Sequence, residues 1–66
     1  NPSDILDIEA MIKLQNVLRS KGYDVGKVDG ILGAKTRQAV RLVQLEFGLS
    51  ADSWPTKELL RKLLIN

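Results

Sequence analysis

The chain contains no cysteine and no histidine. Without cysteine there is neither a disulfide framework nor a thiolate metal site, and without histidine the commonest metal ligand and general base is missing. Most enzyme mechanisms are thereby closed to it, and no cofactor or metal is expected. No apolar run approaches the roughly 20 residues needed to span a bilayer, and no charged-then-apolar leader opens the sequence. It begins Asn1-Pro2 without an initiator methionine, as a fragment cut from a longer protein would. Charge of one sign is also lacking. Ten basic against eight acidic residues give a net charge of +2, too small to argue for a nucleic-acid or membrane partner on charge alone.

What is present fits one small domain. Its 66 residues bury about 60% of the surface the unfolded chain exposes. A hydrophobic fraction of 44% and a charged fraction of 27% are those of an ordinary globular chain that folds by itself. Residues 1–7, with Pro2, Ser3 and two aspartates, read as a linker or N-terminal turn. From Ile8 the apolar residues Ile8, Met11, Ile12, Leu14, Val17 and Leu18 recur at helical spacing. Asp7 is the expected N-cap, Glu9 suits the helix start, Arg19 and Lys21 suit its end, and Gly22 stops it.

Residues 22–33 hold Gly22, Gly26, Gly30 and Gly33 with Asp24 and Asp29, and predict a long structured loop. Tyr23, Val25, Val28, Ile31 and Leu32 are spaced through it as anchors to the core, and a short two-stranded pairing is allowed. A second helix is expected over 34–47, with Ala39, Val40, Val43 and Phe47 buried, Gly48 closing it, and Lys35, Arg37, Gln38 and Arg41 largely on the wet side. A third begins near Thr56 as N-cap, with Pro55 just outside, and carries Leu59, Leu60, Leu63 and Leu64. The fold class is therefore all-α, a small three-helix bundle with a Gly/Asp-rich structured loop between helices 1 and 2. An internal echo links Asp29 through Thr36 to the shorter Asp52-Ser53-Trp54-Pro55-Thr56, each an Asp turn leading to a Thr at a helix start.

Three motifs fail. In Gly33-Ala34-Lys35-Thr36 the lysine does not follow the glycine directly and no buried strand precedes it, so it is no phosphate loop. The positions two and four before Asp29 are Lys27 and Val25, which are not calcium ligands. Asp24, Glu46 and Glu58 are scattered carboxylates rather than an acid/base pair.

The residues resemble the peptidoglycan-binding domain family over about 7–64. The match rests on Met11, Leu14, Gln15 and Leu18 in the first helix, Gly22-Tyr23 and then Asp29, Gly30, Gly33, Thr36 and Arg37 in the loop, and Ala39, Val40, Gln44, Gly48 and Leu49 beyond it. Val43 stands where the family has an aromatic, and the shortened second Asp turn resembles the C-terminal module of type B lytic murein transglycosylases. The resemblance implies a peptidoglycan-binding domain over 8–64. It implies a non-catalytic, monomeric accessory module, tethered to a catalytic domain in a parent enzyme of the periplasm or cell envelope. No nucleic acid and no membrane insertion are then expected.

On that reading the candidate ligand residues are Tyr23, Asp29, Gly30, Arg37, Arg41 and Trp54. Tyr23 and Trp54 offer flat faces for a sugar ring, though core packing claims aromatics in so small a chain. Asp29 accepts from sugar hydroxyls or a stem-peptide amine, or else caps the loop's amides while Gly30 takes a positive φ. Arg37 and Arg41 share a helix face and can grip stem-peptide carboxylates, with solvation as the plain alternative, and Lys27 and Lys35 lie nearby. Gln15 and Gln44 are expected to hold loop backbone groups. Two rival readings stand beside this one. The first is a DNA-binding domain using Lys35, Arg37, Gln38, Arg41 and Gln44, which the loop of about a dozen residues disfavours. The second is a protein-docking module using Trp54 and the leucines of helix 3.

Overall fold

The computed structural model describes residues 6–65, in which three helices follow one another: α1 (Ile8–Ser20), α2 (Ala34–Glu46) and α3 (Lys57–Ile65). The loop between α1 and α2 forms no strand among the described residues. Residues 1–5 of the expected linker lie outside the described residues; Leu6 is buried and belongs to the core.

Local chemistry sets the helix ends. Asp7 is extended and its Oδ1 accepts from the Ala10 amide at 2.8 Å, a cap worth about 1 kcal/mol. After α1, Gly22 at φ 96° lets its amide donate to Arg19 O at 3.0 Å and the Tyr23 amide donate to Leu18 O at 3.0 Å. α2 ends the same way, with Gly48 at φ 72° and the Leu49 amide on Gln44 O at 2.8 Å. Thr56 caps α3, its Oγ1 accepting from the Leu59 amide at 3.1 Å. Only α2 starts without a side-chain cap, at Gly33.

The core joins Met11, Leu14 and Leu18 of α1 with Ala39, Val40 and Val43 of α2, Leu59, Leu60 and Leu63 of α3, and Val25 of the loop. Tyr23, Val28, Leu32 and Phe47 pack around it half-buried. Three expected core or anchor positions are in water instead: Ile8 is 68% exposed, Ile31 65% and Leu64 53%. For the helical pair Ile8 and Leu64 the physical reason is that periodicity marks the whole apolar arc of a helix, while contact with neighbours covers only its centre; Ile31 lies in the Asp29 turn, held there by its backbone. On α1 that centre also carries Gln15, which is fully buried. The connector between α1 and α2 runs over residues 21–33, too long for a helix-turn-helix.

Candidate functional site

A buried amide group organises the loop. Gln15 Oε1 accepts from the Gly30 amide at 2.9 Å, while its Nε2 donates to Ile31 O at 3.0 Å and Thr36 Oγ1 at 3.1 Å. Thr36, also buried, donates onward to Val25 O at 3.2 Å. One side chain of α1 therefore fixes both arms of the loop and the first turn of α2. The turn at its centre is closed by Asp29, whose Oδ1 accepts from the Ile31 amide at 2.9 Å. Gly30 sits at φ 79°, and a Cβ there would lie 2.8 Å from Ile8 Cγ2.

The echo read in the sequence is a repeat of these bonds. Gln44 Oε1 accepts from the Ser53 amide at 3.0 Å, and Nε2 donates to Trp54 O at 3.1 Å and Asp52 Oδ1 at 3.0 Å. Asp52 Oδ1 also accepts from the Trp54 amide at 2.9 Å, and Ser53 has φ 65°. Each turn is thus Asp, then a positive-φ residue bonded to the glutamine oxygen, then a residue whose carbonyl takes the glutamine nitrogen. Gln15 is central in α1 whereas Gln44 lies one turn nearer the end of α2, in keeping with the shorter second connection.

Two recesses open beside these turns and share Ala34. One, of about 240 Å³, is lined by residues that include Lys27, Asp29, Ile31, Lys35 and Thr36. The other, of about 410 Å³, is lined by Ala34, Arg37, Gln38, Arg41 and Ser53. Asp29 thus lies in one recess, Arg37 and Arg41 in its neighbour, and Trp54, 47% exposed, follows Ser53 in the chain. Gly30 is inside the turn, with its amide already engaged by Gln15. Tyr23 lies apart. Its ring packs on the core and its hydroxyl donates to the Glu46 carboxylate at the last turn of α2. The helix rise puts that turn about 18 Å from Ala34.

The electrostatics follow the bonds. The Glu46 carboxylate beside Tyr23 raises the phenol above its ordinary range, with help from burial. The Gly26 amide, then Lys35, hold Asp24 below the usual carboxylate range, and Lys35 Nζ stands 3.6 Å from Asp24 Oδ2. The Trp54 amide, then Gln44, lower Asp52 likewise. Arg37 and Arg41, by contrast, are exposed and have no carboxylate partner among the described residues. Sequence reasoning passed over Ser53, for which the only available signal was its place opposite Gly30 in the echo.

Comparison with known proteins gives consistent findings. Residues 8–63 match the family model described as "Putative peptidoglycan binding domain". The chain is 42% identical over 57 residues, 82% of its length, to a spore cortex-lytic enzyme of Bacillus cereus, of which it covers 22%. Its structure matches SltB3 of Pseudomonas aeruginosa, solved with NAG-anhNAM-pentapeptide, at 50% identity and a TM-score of 0.82, over 85% of this chain and 15% of that one. A second SltB3 structure, with NAG-NAM-pentapeptide, matches at 51% identity and TM-score 0.80, over 83% of this chain and 15% of that one. The chain therefore corresponds to a small part of each relative.

Proposed function

The chain belongs to the peptidoglycan-binding domain family, and on that premise we propose that residues 8–64 are a non-catalytic, monomeric module that holds a cell-wall lytic enzyme on its polymer. The binding face consists of the two recesses at the start of α2 with the turns that wall them. Asp29, Arg37, Arg41 and Trp54 meet the ligand there and Gly30 shapes the turn, while Tyr23, bonded to Glu46 at the other end of α2, stands outside the face. The observation that carries this reading is the pair of exposed guanidinium groups beside a recess, with no acid among the described residues to neutralise them. A polymer bearing both sugars and peptide carboxylates supplies what such a surface lacks.

The parent is a lytic transglycosylase of the type B kind acting in the periplasm, and the module contributes concentration rather than chemistry. A weak grip suffices, because a tethered domain meets its substrate at an effective concentration on the order of millimolar. Purified sacculi test this directly. The domain is expected to co-sediment with them more than an unrelated basic protein of equal size, and Arg37→Gln with Arg41→Gln is expected to reduce retention. Sedimentation no greater than the control's would overturn the proposal.

A further inference from the structure

The two glutamine-pinned turns differ at their positive-φ position, which is glycine in the first and serine in the second. The first has glycine at its positive-φ position, where both the conformation and the contact with Ile8 demand it. The second has Ser53 at φ 65°, a region that L side chains rarely adopt unless the surroundings impose it. The Ser53 amide is satisfied by Gln44, but its hydroxyl bonds to nothing among the described residues. Gln44 and Asp52 bond the backbone of this turn and hold it in that conformation, so the hydroxyl plays no part in fixing it. Ser53 instead lines the 410 Å³ recess together with Arg37, Gln38 and Arg41.

That recess carries two cationic side chains. Arg37 and Arg41 stand one turn apart on the same side of α2, and no acidic residue lines the recess. Its size falls within the range of about 300–1,000 Å³ typical of small-ligand sites. Sugar hydroxyls would leave both guanidinium charges uncompensated, whereas a carboxylate matches their planar donors. We propose that this recess is a carboxylate subsite for the free acid of a peptidoglycan stem peptide. In it Arg37 and Arg41 pair with the anion and the Ser53 hydroxyl donates a further hydrogen bond. Glycine at this position would fit the backbone equally well but would remove that donor. The inference rests on the peptidoglycan reading above and adds to it a defined subsite and a new contact residue, Ser53.

The test is an NMR titration of the labelled domain with NAG-NAM-pentapeptide and with the same compound after amidation of its peptide carboxylates. Amidation is expected to weaken binding about tenfold or more, the worth of a charge-assisted bond. Ser53→Gly should fold with an unchanged or higher melting temperature, since it relieves the backbone, yet bind the acid form about three- to tenfold more weakly. Equal affinity for the acid and amidated forms would overturn the subsite while leaving the peptidoglycan reading intact. Binding of neither form would overturn both. Unchanged affinity in Ser53→Gly, or a loss of melting temperature alongside affinity, would remove Ser53 from the site.

Discussion

Gly30 shows how much a single residue can be asked to do. Its positive φ lets the turn close, its amide satisfies Gln15, and its missing Cβ lets the loop lie against Ile8. Gly30→Ala is therefore expected to lose about 2–3 kcal/mol in urea denaturation, combining left-handed strain with a steric clash. Gly48→Ala is the comparison, because φ 72° is its only constraint and nothing lies within 4 Å of the added carbon. It should lose about 1 kcal/mol. Equal losses at the two positions would mean that the contact with Ile8 does not constrain the turn. At this scale the sequence was partly legible. Asp29 and Gly30 announced their roles through turn chemistry, which is local, and the two glutamines by being polar beside an apolar stripe. The Tyr23–Glu46 bond and the exposure of Ile31 were not legible, because they depend on where distant helices meet.

Among the elements, the connections carry as much of the structure as the helices. Helix starts at Ile8 and Ala34 were readable from Asp7 and from the glycine punctuation, and α3 begins one residue beyond its expected cap. What could not be read was which apolar residues each helix would bury, since that is set by crossing geometry rather than by period. The connections also give the fold a definite pH response. Asp24 and Asp52 have pKa values lowered in the folded state by backbone amides, so folding favours their ionised forms. Their contribution is fully present above the ordinary aspartate range near pH 4 and is lost as pH falls through the lowered folded values. Unfolding free energy measured by urea denaturation should therefore decline on acidification below about pH 4, and less steeply in Asp52→Asn. A pH profile identical in that variant would show that the second turn does not depend on the ionised carboxylate. Tyr23 acts in the opposite sense. Its raised pKa favours the protonated phenol in the fold, so the stability it adds is present below pH 10 and lost as pH rises beyond it.

At the scale of the whole molecule, the radius of gyration is 10.4 Å, close to the roughly 11 Å of a folded chain of this length. The core is aliphatic and small. Its polar pins, Gln15, Thr36 and Gln44, are buried and fully bonded, and they hold the loops that an apolar core this size could not hold alone. Two repeated turns wall the recesses at the start of α2, beside which Arg37, Arg41 and Trp54 are exposed. The resemblance seen in the sequence rested on these same glutamines, glycines and aspartates. The spacing that keeps the loops in place is therefore also what made the family recognisable.

The most direct test of this account is chemical-shift mapping of the labelled domain with NAG-NAM-pentapeptide. Perturbations are expected to gather on Asp29, Ala34, Arg37, Arg41, Ser53 and Trp54. Perturbations confined to the outer side of α3 around Leu64 and Ile65, or none at all, would contradict it.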